Sequence, residues 1–261
     1  DSNNMNDVQK EPFIFTRYLY PKIYVKISLL ISLLNHNYDE SLFWTYELYF
    51  SGFEDEVYDY VFKIYDEIYK YYNPKFIEFM EETRNNWYKN TDQDWLIGSI
   101  VGTMSHMNYR LDLFMKTYYN IQCSQNVEKK KKVFIIHLKE KDVHKYYTAR
   151  FQDPPRKYLQ NVCEYSIHNN VIRLLQNEVD NVQQLLHYEW LFYACGSPVW
   201  LERVHDCNGK RNLLTNKIEF EEEEYEELFY NTYGLEPDEQ SLELQEKLIG
   251  SKNVCLLYTS P

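Results

Sequence analysis

Apolar positions in the first half of the chain recur at three- and four-residue steps, the spacing that puts them on one face of a helix. Pro21 suits a first helical turn, and Ile23, Ile27, Leu30 and Leu34 follow it on one stripe. The polar stretch NHNYD closes that helix and offers Asp39 as the N-cap of the next, which Leu42, Tyr46, Tyr49 and Phe50 line until Ser51-Gly52. Glu54 and Asp55 open a third helix, where carboxylates favour the macrodipole, with the stripe Val57, Val61, Ile64, Tyr65, Ile68 and Tyr72. Asn73-Pro74 predicts a cap and an N1 proline for a fourth helix carrying Phe76, Met80, Thr83 and Trp87. Thr91 is the expected cap of a fifth, whose WLIGSIVGTMSHM is apolar all round and therefore central. A sixth is expected over about 109–119.

The pattern changes near Gln125. A β-type run at 133–138 follows four lysines, and Pro154-Pro155 interrupts the chain. Helix returns at about 156–166 and again at about 178–195, where Val182, Leu185, Leu186, Glu189, Trp190 and Tyr193 keep helical spacing up to Gly196. Ser197-Pro198 opens another helix, LLTNKIEF reads as a strand over 213–220, EEEEYEELFYNTYG is an acidic helix, and a last helix runs from about 237 to 248. The fold class expected is mostly α: an antiparallel helical bundle or irregular helical array with a minor β element. One helical domain is expected over 18–250, with a sub-boundary near 121–132, after a polar tail at 1–17. Met5 is a candidate start, and the closing VCLLYTSP resembles translated adapter sequence, so 251–261 reads as a tail and Cys255 is given no role.

Composition narrows the chemistry. With 26 Tyr and 14 Phe against 7 Gly and two Ala, the chain is biased toward residues with AT-rich codons. The rings clustered in DESLFWTYELYF are thus expected to build the interior, with Trp44, Tyr65 and Trp190 shielded from water. Five cysteines without a CxxC suit reduced thiols. No apolar run nears the roughly 20 residues of a membrane-spanning helix, and no signal peptide is visible, so no membrane partner is expected. The formal charge of −12 argues against coating nucleic acid without regard to sequence.

That charge is unevenly spread. Residues 129–157 carry +7 and the remainder −19. Lys129, Lys130, Lys131, Lys132, Lys139, Lys141, Lys145, Arg150, Arg156 and Lys157 form a band that can meet phosphates, with Tyr146, Tyr147 and Phe151 placed to stack on bases. The competing reading is a solvated strand edge, or a band paired with the chain's own carboxylates at Glu219 and Glu221 to Glu227. Those carboxylates form a helix-type run, unlike the loop-borne ligands of a hard cation. His205, Cys207 and Cys195 supply one close pair and not the two that structural zinc prefers. Phosphate-cradling, nucleophile-elbow and metalloprotease motifs are missing. No catalytic, cofactor-binding or metal-binding residue is assigned, no cofactor is expected, and an enzyme is the less favoured reading.

Residues 18–53 and 188–211, with SLFWTYELYFSGFE and SPVWLERV followed by NG, resemble an uncharacterised family carried by large nucleocytoplasmic DNA viruses of protists and algae. The resemblance implies a viral protein that acts in the host cytoplasm or viral factory, or is packaged in the virion. It brings no activity and no site residue. The function expected is a non-enzymatic interaction or scaffold protein, docking partner proteins through aromatic helix faces and charged segments. The alternative is an accessory nucleic-acid-binding protein of viral replication or transcription, using the band at 129–157.

Overall fold

The computed structural model describes residues 12–122, 134–147, 154–175 and 177–251. The stripes of the first half become α1 (Lys22–Leu34), α2 (Tyr38–Tyr49), α3 (Glu54–Ile64), α4 (Phe76–Lys89), α5 (Trp95–Met104) and α6 (Asp112–Tyr119). A short α7 (Glu140–Val143) follows, then α8 (Pro155–Val162), α9 (Asn169–Leu174), α10 (Val182–Tyr188), α11 (Trp190–Ala194) and α12 (Pro198–Asp206). A hairpin of β1 (Gly209–Asn212) and β2 (Lys217–Phe220) precedes α13 (Glu223–Tyr233) and α14 (Leu242–Ile249). The molecule is mostly α with a minor β element, and one hydrophobic cluster extends from Phe15 to Ile249.

Helix α2 sits at the centre, between α1 and α5, and every residue from Glu40 to Tyr49 is buried. Its sequence is not purely apolar, so each polar tip needs a partner inside. Ser41 Oγ donates to the Asn37 carbonyl at 2.7 Å and Thr45 Oγ1 to the Ser41 carbonyl at 2.7 Å. Tyr46 and Tyr49 hydroxyls donate to the carbonyls of Asp94 and Thr91, and Trp87 Nε1 donates to the Tyr49 hydroxyl at 2.8 Å. The shielding expected of Trp44, Tyr65 and Trp190 holds, at 0%, 0% and 8% exposure. The α2 rings pack on Tyr20, Trp87, Tyr146 and Tyr165, as the expected interior placement requires.

One ion pair lies inside this centre. Arg17 Nε donates to Glu47 Oε2 at 2.9 Å and Arg17 Nη1 to the Tyr146 carbonyl at 2.9 Å, while the Tyr18 amide donates to Glu47 Oε1 at 3.1 Å. Burial pushes the Glu47 carboxyl above its usual range, against the pull of Arg17 and these donors. Burial lowers the Arg17 guanidinium most, but the Glu47 charge and hydrogen bond together with the neighbouring Tyr18 and Tyr158 outweigh it and leave it above its ordinary value. The polar tail expected to reach residue 17 therefore stops earlier: Phe15, Thr16 and Arg17 are interior.

Several element boundaries differ from the sequence expectation. Asn37, not Asp39, caps α2, its side chain accepting from the Glu40 amide. The Asn73 amide donates to the carbonyls of Tyr69 and Asn108, so it does not cap α4, which starts at Phe76. Helix α5 begins at Trp95 and not near Thr91, and α6 at Asp112, because 109–111 tie back to α1 and to the turn after α3: Tyr109 hydroxyl to the Leu34 carbonyl, Arg110 amide to the Ile68 carbonyl. That turn, Tyr65–Tyr69, is a π-helix ending before Tyr72, and buried Tyr69 takes the place Tyr72 was expected to fill. The helix expected over 178–195 is broken at Glu189, whose φ of −130° separates α10 from α11.

The β element moves as well. No strand forms at 134–138, and Val133 lies outside the described residues. The segment is extended but lies antiparallel along α5: the Ile136 amide donates to Thr103 Oγ1 and the Leu138 amide to Ser99 Oγ, each at 2.9 Å. Two extended residues advance about 6.6 Å and four helical residues about 6 Å, so alternate amides meet successive turns of the helix. Gly98 permits the approach, since a Cβ there would stand 2.7 Å from Leu138 Cδ1. The expected strand over 213–220 is half right, because 217–220 forms β2, paired with β1, while 213–216 is the loop between them.

Arg17→Met leaves a buried carboxylate without its counterion and should cost about 3–5 kcal/mol in urea unfolding. Arg17→Met combined with Glu47→Leu should recover most of that loss. Ser99→Ala, which orphans the Leu138 amide, should cost about 1–3 kcal/mol in the same measurement.

Candidate functional site

Three places merit comparison. The first is a cleft of about 670 Å³ between the end of α1 and the start of α9, with Leu34, Asn35, Tyr109, Leu111, His168 and Asn169 among its walls. His168 is fixed there by two long-range bonds. Its amide donates to Ser28 Oγ at 3.1 Å, and its Nε2 lies 2.7 Å from Glu40 Oε1. Glu40 also accepts from Trp44 Nε1 at 3.0 Å and from Asn37 Nδ2 at 2.8 Å. Burial alone would raise the Glu40 carboxyl, but these donors prevail and hold it below its usual range.

An oriented imidazole is a general base only if something stands to be activated. The thiols do not serve. Burial pushes Cys195 up to about 12 and Cys163 higher still, and their Sγ atoms face the carbonyls of Trp200 and Tyr18. Among the described residues no three His, Cys, Asp or Glu side chains converge as a metal site, and His205 is exposed while Cys195 and Cys207 are buried. The Glu40–His168 pair joins α2 to the start of α9.

The second place is the basic band. Lys129, Lys130, Lys131, Lys132, Arg150 and Phe151 lie outside the described residues. Lys139, Lys141 and Lys145 share one exposed stretch through α7, whereas Arg156 and Lys157 stand on α8, beside α13. Lys145 Nζ is 3.4 Å from Asp39. Arg156 pairs with Glu236 and, at 3.5 Å, with Glu239, so the acids that meet it lie beyond the 219–227 run. Tyr146 is not available for base stacking: it is buried, its ring stacked on Tyr46 at 4.8 Å. Tyr147 packs edge-on against Phe50 at 5.2 Å.

The third place is the hairpin and the helix after it. Phe220 and Phe229 pack together at 5.4 Å and Arg211 covers the Phe192 ring at 4.2 Å, which anchors the inner face. Asn212 Oδ1 accepts the amides of Leu214 and Thr215 and sets the loop. That geometry leaves Leu213 71% and Leu214 97% exposed. On α13, Leu228 is exposed among Glu223, Glu224, Glu226 and Glu227, which all face solvent.

No family model, curated protein or solved structure matches the chain. Among the described residues no helix is long and apolar enough to cross a membrane.

Neither His168 nor the paired leucines carries a local sequence signal. Glu40 and His168 are 128 residues apart, and no local spacing signals such a pair. Leu213 and Leu214 stand next to NKIEF, where an apolar run has the composition of a strand.

The Glu40 carboxyl carries a pH signature. Its folded value lies below its unfolded one, near 4.3, so its stabilisation is complete above that value and is lost as pH falls through the folded one. Glu40→Gln should be less stable than wild type at neutral pH, and the gap should close in acid-titrated urea melts below about pH 4.

Proposed function

We propose that this chain is a non-enzymatic docking protein, of viral origin as its family resemblance implies, that engages partner proteins through the hairpin loop and the acidic face of α13. The observation that carries this reading is the pair Leu213 and Leu214, held by a defined turn yet almost wholly in water. A four-residue hairpin loop has no need of leucine, and turn chemistry favours Asn, Asp, Gly or Ser there. Exposed apolar side chains at a loop held by a defined turn, on a hairpin whose β2 packs against a helix rich in carboxylates, suit an apolar anchor with a charged rim. The interior adds support, because the rings and thiols are engaged in packing. Action within the host cytoplasm, the viral factory or the virion belongs to the same proposal.

The nucleic-acid reading retains one favourable observation. The ammonium groups of Lys139, Lys141 and Lys157 are exposed and form no ion pair among the described residues. Of its candidate stacking rings, Tyr146 is buried and Tyr147 packs on Phe50.

Leu213→Ser with Leu214→Ser touches only the loop and should change stability by less than about 0.5 kcal/mol. Affinity capture from infected cells with the variant should recover the wild-type partners at a small fraction of their level. Equal recovery, or nucleic acid as the sole wild-type cargo with binding removed by Lys139→Glu and Lys141→Glu, contradicts the docking reading.

A further inference from the structure

We propose that the cleft between the end of α1 and the start of α9 is a peptide-binding site, which takes an extended, uncharged stretch of a partner protein with an aliphatic side chain turned inward. The site is separate from the hairpin and does not depend on the reading above. Its volume of about 670 Å³ lies within the range of ligand pockets, about 300–1,000 Å³. No Asp, Glu, Lys or Arg stands on its walls. Ile31, Leu34, Leu111 and Val171 line it, and the fold leaves each of them only half-buried. Three carboxamides, those of Asn35, Asn169 and Asn170, stand among them.

These groups select the occupant. A charged ligand group would lose hydration there and meet no opposite charge in return, since His168, the one histidine on the walls, is engaged by Glu40. The aliphatic walls favour an apolar side chain. A carboxamide presents a donor and an acceptor side by side, which matches the N–H and C=O groups along an extended backbone. Asn169 Nδ2 already donates to the Ser251 carbonyl at 3.4 Å. Asn35 and Asn170 are exposed, and their carboxamides form no hydrogen bond among the described residues. Successive side chains of an extended chain point to opposite sides, so one can enter between the aliphatic walls while the backbone meets the two amides. A nucleobase edge also pairs with asparagine, but the phosphates it carries would approach a chain of charge −12 with no cation on the cleft walls. The walls are set in advance. The Tyr109 hydroxyl holds one by donating to the Leu34 carbonyl at 2.9 Å, and the His168 amide holds the other by donating to Ser28 Oγ at 3.1 Å. A cleft already formed spares the ordering that binding would otherwise cost.

Titration of the full isotope-labelled chain with capped, uncharged hexapeptides, carrying leucine or valine at alternate positions, tests the site by nuclear magnetic resonance. At least one such peptide should bind saturably and shift the side-chain amide resonances of Asn35 and Asn170. Asn35→Ala with Asn170→Ala, both at exposed positions, should weaken that binding about tenfold or more. Peptides with serine or lysine in place of the aliphatic residues should bind more weakly by at least as much. Leu213→Ser with Leu214→Ser should leave peptide binding unchanged, so failure of this site and failure of the hairpin reading are told apart. Absence of saturable binding at millimolar peptide, or binding indifferent to Asn35→Ala with Asn170→Ala, overturns the inference. Saturable binding of adenosine at the two asparagines, with no peptide bound, overturns it as well.

Discussion

The contact between Arg17 and Glu47 orders the centre of this molecule. A carboxylate inside an aromatic interior is tolerated only if its oxygens are filled, and here the guanidinium and the Tyr18 amide fill both. The same guanidinium reaches the Tyr146 carbonyl, and the Arg17 amide donates to Ser51 Oγ at 2.9 Å. The entering chain, the last turn of α2, the turn that follows it and the segment beyond α7 thereby meet at one buried pair. The stacking of Tyr146 on Tyr46 and the course of 134–147 over α5 are built on that junction.

With the centre occupied this way, aromatic abundance is a matter of construction. Tyr46, Tyr49, Trp44 and Trp87 join edge to face or stack, and their polar tips end on carbonyls, a hydroxyl or the Glu40 carboxylate. Thiols held protonated by burial, and a histidine clamped to a carboxylate, complete an interior arranged for cohesion. The leucine-tipped hairpin that packs against α13 faces outward, and it carries the proposed docking role.

Features set by local periodicity were legible in the sequence, and those set by long-range partners were not. The stripe Phe76, Met80, Thr83 and Trp87 is buried as its spacing implied, and the all-round apolar α5 buries every residue from Ile97 to Met104. Boundaries failed where a side chain with capping chemistry had a better tertiary partner, as at Asn73. The run at 134–138 has strand-like residues, but its ladder is a row of helix hydroxyls, which strand propensity does not anticipate. Glu189 keeps helical spacing within its segment, yet α11 turns there to set Trp190 against Trp200 at 5.3 Å. Of the basic band, charge predicted exposure at Lys139, Lys141 and Lys157, but not that Tyr146 would be interior or that Arg156 would find Glu236. The loop leucines were invisible as a site because exposure, not identity, makes them one.

Native-state hydrogen exchange resolved along the chain tests the central claim most directly, because it reports which backbone opens only when the whole molecule unfolds. Amides of α2 should be among the slowest, exchanging through global unfolding and accelerating with added urea in step with it, while the 213–216 loop exchanges freely. An α2 that exchanges as fast as that loop, or through a local opening indifferent to urea, would show that its rings are not the interior on which the rest is assembled.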